Sequence, residues 1–184
     1  VNLKDVLVYD SESDGFVYEA TKIHIISIIG AEKDDHMMKS YYGYNIEEAL
    51  ERLSRARVIV AHNQIKHDIP LFQKLYPDWK PPLVVDTLVL SALLNPERLG
   101  GHGIEAWGRR LGGEQKVQHE DWSKFSVEML RRCESDVRLN KKVLQRLLSE
   151  SYEDIDGVDI YNFDFSEVDD EPVTTSIAHG ESCS

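Results

Sequence analysis

Three places in the sequence set carboxylates where they could act together. Asp10-Ser11-Glu12 ends the apolar run Val6-Leu7-Val8-Tyr9. Residues two apart on an extended chain face the same way, so the two acids can converge. His62-Asn63-Gln64-Ile65-Lys66-His67-Asp68-Ile69-Pro70 brings Asp68 to a helix start, where negative charge is favoured, and offers Asn63 as both donor and acceptor. Asp136 immediately precedes Val137 in a helical pattern, and one helical step is about 100°, which puts it at the edge of the buried stripe. Grouped carboxylates suit a hard divalent cation such as Mg²⁺, which keeps open positions for water and phosphate. Each place also has a plainer reading: an acidic turn continuing into Ser13-Asp14-Gly15, helix-start and turn residues, and a solvated helical aspartate.

The elements that must position these residues follow from the patterning. Val6-Leu7-Val8-Tyr9 reads as a strand buried on both faces, Ile23, Ile25, Ile26, Ile28 and Ile29 as a second, and Tyr41, Tyr42 and Tyr44 as a third, joined as an antiparallel meander. Asn45 is placed to cap a helix carrying Ile46, Ala49, Leu50 and Leu53. Val58-Ile59-Val60-Ala61 is a fourth strand delivering His62-Asn63, and Pro70 fits the first turn of the helix that follows. Val84-Val85 is a fifth strand leading into Asp86-Thr87 and the apolar stretch 88–94. Gly100, Gly101 and Gly103 turn the chain before a helix at 104–111, and 127–148 is the clearest helix, with Val127, Leu130, Val137, Leu144 and Leu148 on one stripe. The expected fold is α/β, a mixed five-stranded sheet flanked by helices.

Taken together and in order, Asp10-x-Glu12, His62-Asn63-x-x-x-His67-Asp68 and Cys133-x-x-Asp136-Val137 resemble the three motifs of the DEDD superfamily of 3′–5′ exonucleases. The segment His102-Gly103-Ile104-Glu105-Ala106-Trp107-Gly108-Arg109-Arg110-Leu111-Gly112 is similar to the stretch between motifs two and three in the proofreading domains of phage family A DNA polymerases. The resemblance covers residues 5–148 and implies the ribonuclease H-like exonuclease fold. It implies that Asp10, Glu12, Asp68 and Asp136 are the catalytic, metal-binding residues, holding two divalent ions, Mg²⁺ or Mn²⁺, against the scissile phosphate. Ser11, Asn63, His67 and Arg132 are the candidate substrate-binding residues. The implied activity removes nucleoside monophosphates from single-stranded DNA 3′ ends in replication or proofreading, with RNA 3′ ends as the alternative. A DNA polymerase or another replication protein is the implied partner.

One departure stands out. Family members place Tyr four residues, or His five residues, before the last Asp to orient the attacking water, whereas this chain has Arg132 and Arg131 there. A guanidinium has no usable acceptor and a pKa above about 12, so it is no ordinary general base. Either His67 or another group takes that role, or the water needs no base, or the enzyme is slow. A catalytically weak module that binds a replication partner is the reading of a different class. Arg132 could still contact phosphate, while the plain reading leaves both arginines on a solvated face.

Charge bears on the same question. The chain of 184 residues has 21 Lys plus Arg against 33 Asp plus Glu, a formal charge of −12. Residues 1–150 hold all 21 basic and 23 acidic residues, whereas 151–184 hold ten acidic residues and no Lys or Arg. A nearly neutral exonuclease domain at 1–150 is thus followed by an acidic tail at 151–184, expected to be flexible, in which Tyr161, Phe163 and Phe165 alternate with acids. No apolar run reaches the roughly 20 residues of a spanning helix, and no signal-peptide pattern opens the chain. Cys133 and Cys183 form no disulfide framework. The expected location is therefore the cytoplasm of a bacterial or phage-infected cell, without a membrane partner. His24, His36 and His119 read as surface or structural, and Trp107 and Trp122 as core residues rather than base-stacking platforms.

Overall fold

The computed structural model describes residues 2–112 and 122–152. His119, Cys183 and the tail from 153 onward, with Tyr161, Phe163 and Phe165, lie outside the described residues.

The elements run β1 (Val6–Ser13), β2 (Ile23–Gly30), β3 (Lys39–Tyr42), α1 (Ile46–Ser54), β4 (Val58–Ala61), α2 (Asp68–Leu75), β5 (Leu83–Asp86), α3 (Thr87–Leu94), α4 (Ile104–Arg110) and α5 (Val127–Tyr152). The sheet order is β3-β2-β1-β4-β5. β1, β2 and β3 form the antiparallel meander, and β4 and β5 extend it in parallel from β1. This is the expected mixed five-stranded sheet with helices on its faces.

The two faces are sorted by the alternation of side chains along each strand. Tyr9, Ile26 and Ile28 pack with Ala49, Leu50 and Leu53 of α1 and with Leu71 and Phe72 of α2. Val6, Val8, Ile29, Val58 and Val60 point the other way and pack with Val137 and Leu144 of α5. β2 is buried at every position because helices cover it on both sides, which is why it reads as a continuous β-branched run rather than an alternation.

Several expectations change in detail. β1 continues through Asp10, Ser11 and Glu12 to Ser13, because β2 pairs with it from Leu7↔Gly30 to Ser13↔Ile23 and satisfies its backbone groups. The acidic segment is therefore strand, not turn. Tyr44 falls in a 3₁₀ turn at Gly43–Asn45 rather than in β3, and Asn45 precedes α1 without a side-chain capping bond. α5 runs to Tyr152, and its buried stripe is Met129, Cys133, Val137, Asn140, Leu144 and Leu147, whereas Val127 is exposed at the helix start.

Candidate active site

Asp10 and Glu12 extend the Val6–Val8 side of β1 toward α5, because strand alternation carries every second residue to the same face. α5 presents Asp136 to meet them, one residue before buried Val137. Carboxylate oxygens of Asp10, Glu12 and Asp136 all lie within 4.8 Å of one another. Cys133, one turn earlier on α5, directs its thiol to the Asp10 carbonyl at 3.4 Å and ties helix to strand. These acids line a cavity of about 140 Å³ together with Ser11, His62, Ile104, Arg132 and Asn140.

Asp68 reaches the site from the opposite face of β1. Tyr9 and Ser11 point toward α2, where the Ser11 hydroxyl donates to Asp68 Oδ1 at 2.5 Å and the Tyr9 hydroxyl to Gln64 Oε1 at 2.9 Å. Asp68 is the first residue of α2 and is buried. It is not one of the three acids whose oxygens cluster, but its charge acts on Asp10 through the strand. Burial, then the charges of Glu12, Asp136 and Asp68, hold the Asp10 carboxyl well above the ordinary carboxylate range. Burial also raises Asp68, against the Ser11 hydroxyl and His67.

The turn carrying His62 and Asn63 is organised by Asp86. Its buried carboxylate accepts the amides of Asn63 at 2.9 Å and Ile65 at 3.1 Å, and also those of Leu88 and Val89 at the start of α3. Asn63 adopts a left-handed φ of 64°, a conformation Asn tolerates better than most residues. The turn it makes directly follows His62, which lines the cavity. His62 Nδ1 lies 2.9 Å from the Thr87 hydroxyl, which donates to Asn140 Oδ1 at 2.6 Å. A hydroxyl has one proton, so Nδ1 is the donor to Thr87.

The two arginines part company. Arg131 is exposed, as the plain reading expected for both. Arg132 turns inward: its Nε lies 3.5 Å from Glu12 Oε1 and 3.9 Å from Asp136 Oδ2, and its guanidinium stacks 4.7 Å from the Trp122 ring. The guanidinium faces two of the three clustered carboxylates, and this oxygen-rich set fits a hard divalent cation.

Of the residues expected at the site, Asp10, Ser11, Glu12, Arg132 and Asp136 line the cavity, and Asp68 stands behind Ser11. His67, at the start of α2, lies 4.0 Å from Asp68 and does not line the cavity. His62, Asn140 and Ile104 do line it, and none of them was a candidate from the sequence. Asn140 had a signal, since it follows Asp136 by one helical turn. His24 is buried and structural, with Nε2 3.0 Å from the Trp122 carbonyl, and Trp107 is a core residue.

No protein-family model matches the chain. It is 27% identical over 190 residues to the DNA-directed DNA polymerase of Escherichia phage T7 and 29% identical over 195 residues to that of Enterobacteria phage T3, alignments that cover 80% of this chain. The chain spans 27% of the length of each polymerase. Among solved structures, Brucella melitensis NrnC bound to pGG matches with a TM-score of 0.65 at 19% identity, over 83% of this chain and 78% of that one. Escherichia coli RNase D, an exoribonuclease, matches with a TM-score of 0.61 at 16% identity, over 81% of this chain and 40% of that one. No helix among the described residues is long and apolar enough to cross a membrane. The solved structures show that the chain is built on the ribonuclease H-like exonuclease fold, and in sequence it is similar to part of two phage DNA polymerases.

Proposed function

We propose that this chain is a metal-dependent 3′–5′ exonuclease that removes nucleoside monophosphates from single-stranded DNA 3′ ends, in replication or proofreading. The observation that carries this reading is the convergence of Asp10, Glu12 and Asp136 in one small cavity, on a chain whose sequence relatives are phage DNA polymerases. Asp10, Glu12 and Asp136, with Asp68 behind Ser11, are the residues that would hold two divalent ions, Mg²⁺ or Mn²⁺. Bound there, such ions supply positive charge to the scissile phosphate and acidity to the attacking water.

The chain's own residues divide the remaining work. His62 is the cavity-lining group whose Nε2 can accept a proton, held in that tautomer by Thr87 and Asn140. It stands in for the Tyr or His that Arg132 and Arg131 replace. Ser11 and Arg132 meet the nucleotide inside the cavity, and Asn63 and His67 meet it from outside. Ile104 supplies an apolar wall. Residues 1–150 act as the exonuclease domain beside a polymerase or another replication protein, and 151–184 form an appended acidic tail.

The test uses 5′-labelled single-stranded DNA and RNA oligomers of one sequence with Mg²⁺ or Mn²⁺. The expected result is a DNA ladder shortened from the 3′ end, and its loss in Asp10→Ala. Faster shortening of RNA would make the chain an exoribonuclease, a reading that the likeness to RNase D keeps in view. No ladder on either substrate at high protein concentration would support the partner-binding module.

A further inference from the structure

Arg132 occupies a place where a metal-holding cluster would have no ordinary use for a cation of its own. Its Nε is 3.5 Å from Glu12 and 3.9 Å from Asp136, two of the three carboxylates whose oxygens lie together. Both separations are ion-pair distances too long for hydrogen bonds, and the buried Nε makes no hydrogen bond. Its side chain is only 15% exposed, and Trp122 carries its guanidinium at 4.7 Å. The guanidinium is therefore held beside the two acids by a stacking platform and by ion pairing, and its Nε makes no directional bond to either acid.

We infer that Arg132 is a built-in counter-cation that competes with divalent metal for Glu12 and Asp136. This rests on the metal site proposed above. In the metal-free chain the guanidinium offsets part of the repulsion among Asp10, Glu12 and Asp136. A dication taking the same oxygens must displace it, or bind beside a like charge a few ångströms away. The long separations at Nε make that displacement cheap. Trp122 offers the guanidinium a surface along which to withdraw. Metal affinity is thus set below what the carboxylates alone would give, and the site stays partly neutralised until metal arrives.

The experiment titrates Mn²⁺ into the full chain and into Arg132→Gln, Arg132→Lys and Asp10→Asn, reading affinity by calorimetry and melting with and without Mn²⁺. Arg132→Gln is expected to bind Mn²⁺ about tenfold or more tighter than the native chain. It should melt lower without metal and show a larger Mn²⁺-induced rise. Arg132→Lys, which keeps the charge, should stay near native affinity. Equal or weaker Mn²⁺ binding by a folded Arg132→Gln overturns the competition while leaving the metal site standing, provided Asp10→Asn weakens binding. Absence of saturable Mn²⁺ binding in every variant overturns both.

Discussion

Two arginines in this molecule are stacked on tryptophans and paired with acids, and they are built differently. Arg98 lies 4.6 Å from the Trp107 ring and grips Glu150 with both terminal nitrogens, at 3.2 and 2.6 Å, while Arg146 adds a third bond to the same carboxylate at 3.0 Å. Arg132 lies 4.7 Å from the Trp122 ring and approaches two acids, but no closer than 3.5 Å. The first cluster has donors enough for its one acid, and it pins the end of α5 to the connection after α3. In the second the guanidinium stands only at ion-pair distance from Glu12 and Asp136, and Asp10 beside them is pushed up chiefly by burial and then by the neighbouring charges. Short, directional bonds to one carboxylate mark a structural clamp, whereas clustered carboxylates beside a guanidinium at longer range mark a candidate cation site.

Breaking each cluster should therefore cost different things. Asp136→Asn is expected to lower exonuclease rate about a thousandfold, measured on labelled single-stranded DNA, while leaving the metal-free melting temperature unchanged or higher. A large rate loss accompanied by unfolding would erase the contrast. Arg98→Ala should do the reverse, destabilising the chain by about 2–3 kcal/mol in urea titration because it leaves a mostly buried carboxylate with fewer partners. Its rate per folded molecule should stay near native.

The clusters should also answer pH with opposite signs. Glu150 is held below the ordinary carboxylate range, chiefly by the Arg98 hydrogen bonds. The unfolded chain then binds that proton more readily than the folded one, so the Glu150 contribution is present above the ordinary range and is lost as pH falls through the depressed value. Asp10 is raised, chiefly by burial, so the folded chain binds its proton more readily. Metal-free stability attributable to Asp10 falls as pH rises from the ordinary range through the raised value. Melting curves in chelator between about pH 4 and about pH 8 check this: the advantage of Asp10→Asn over native should grow with pH, and the deficit of Glu150→Gln should shrink toward acid. Matching slopes would contradict the contrast. The smallest effect is expected from Thr87→Val, about 1 kcal/mol, because it strips a hydrogen bond from buried Asn140 and releases the His62 ring. If His62 is the proton acceptor, the pH dependence of cleavage should change in this variant more than its stability does.

Much of the sheet was legible because β-branched runs and strand alternation are local signals. The Ile23–Gly30 strand, the delivery of His62-Asn63 by β4 and the long final helix all follow from pattern alone. The extent of β1 was not legible, because Asp10, Ser11 and Glu12 are poor strand formers and are kept in strand by pairing with β2. The α5 stripe starts at Met129, which packs with Ile25 of β2, rather than at exposed Val127, because tertiary packing and not helical period decides which residue of the first turn is covered. Asp86 passed as a simple strand-to-helix junction, although its carboxylate shapes the turn after His62 across 23 residues of sequence.

By itself the sequence determined which residue types could form an acidic, cation-seeking site and in what order along the chain they occur. Only the tertiary structure decided how they are partnered. It put Asp10, Glu12 and Asp136 on one side of β1 and Asp68 on the other, turned Arg132 in and Arg131 out, and brought His62 rather than His67 to the cavity. The physical reason is that residue type and local period are written in neighbouring positions. The charge an acid feels depends instead on groups 57 to 123 residues away in sequence, such as Asp68 behind Ser11 and Cys133 beside Asp10, which pairing and packing alone bring within reach.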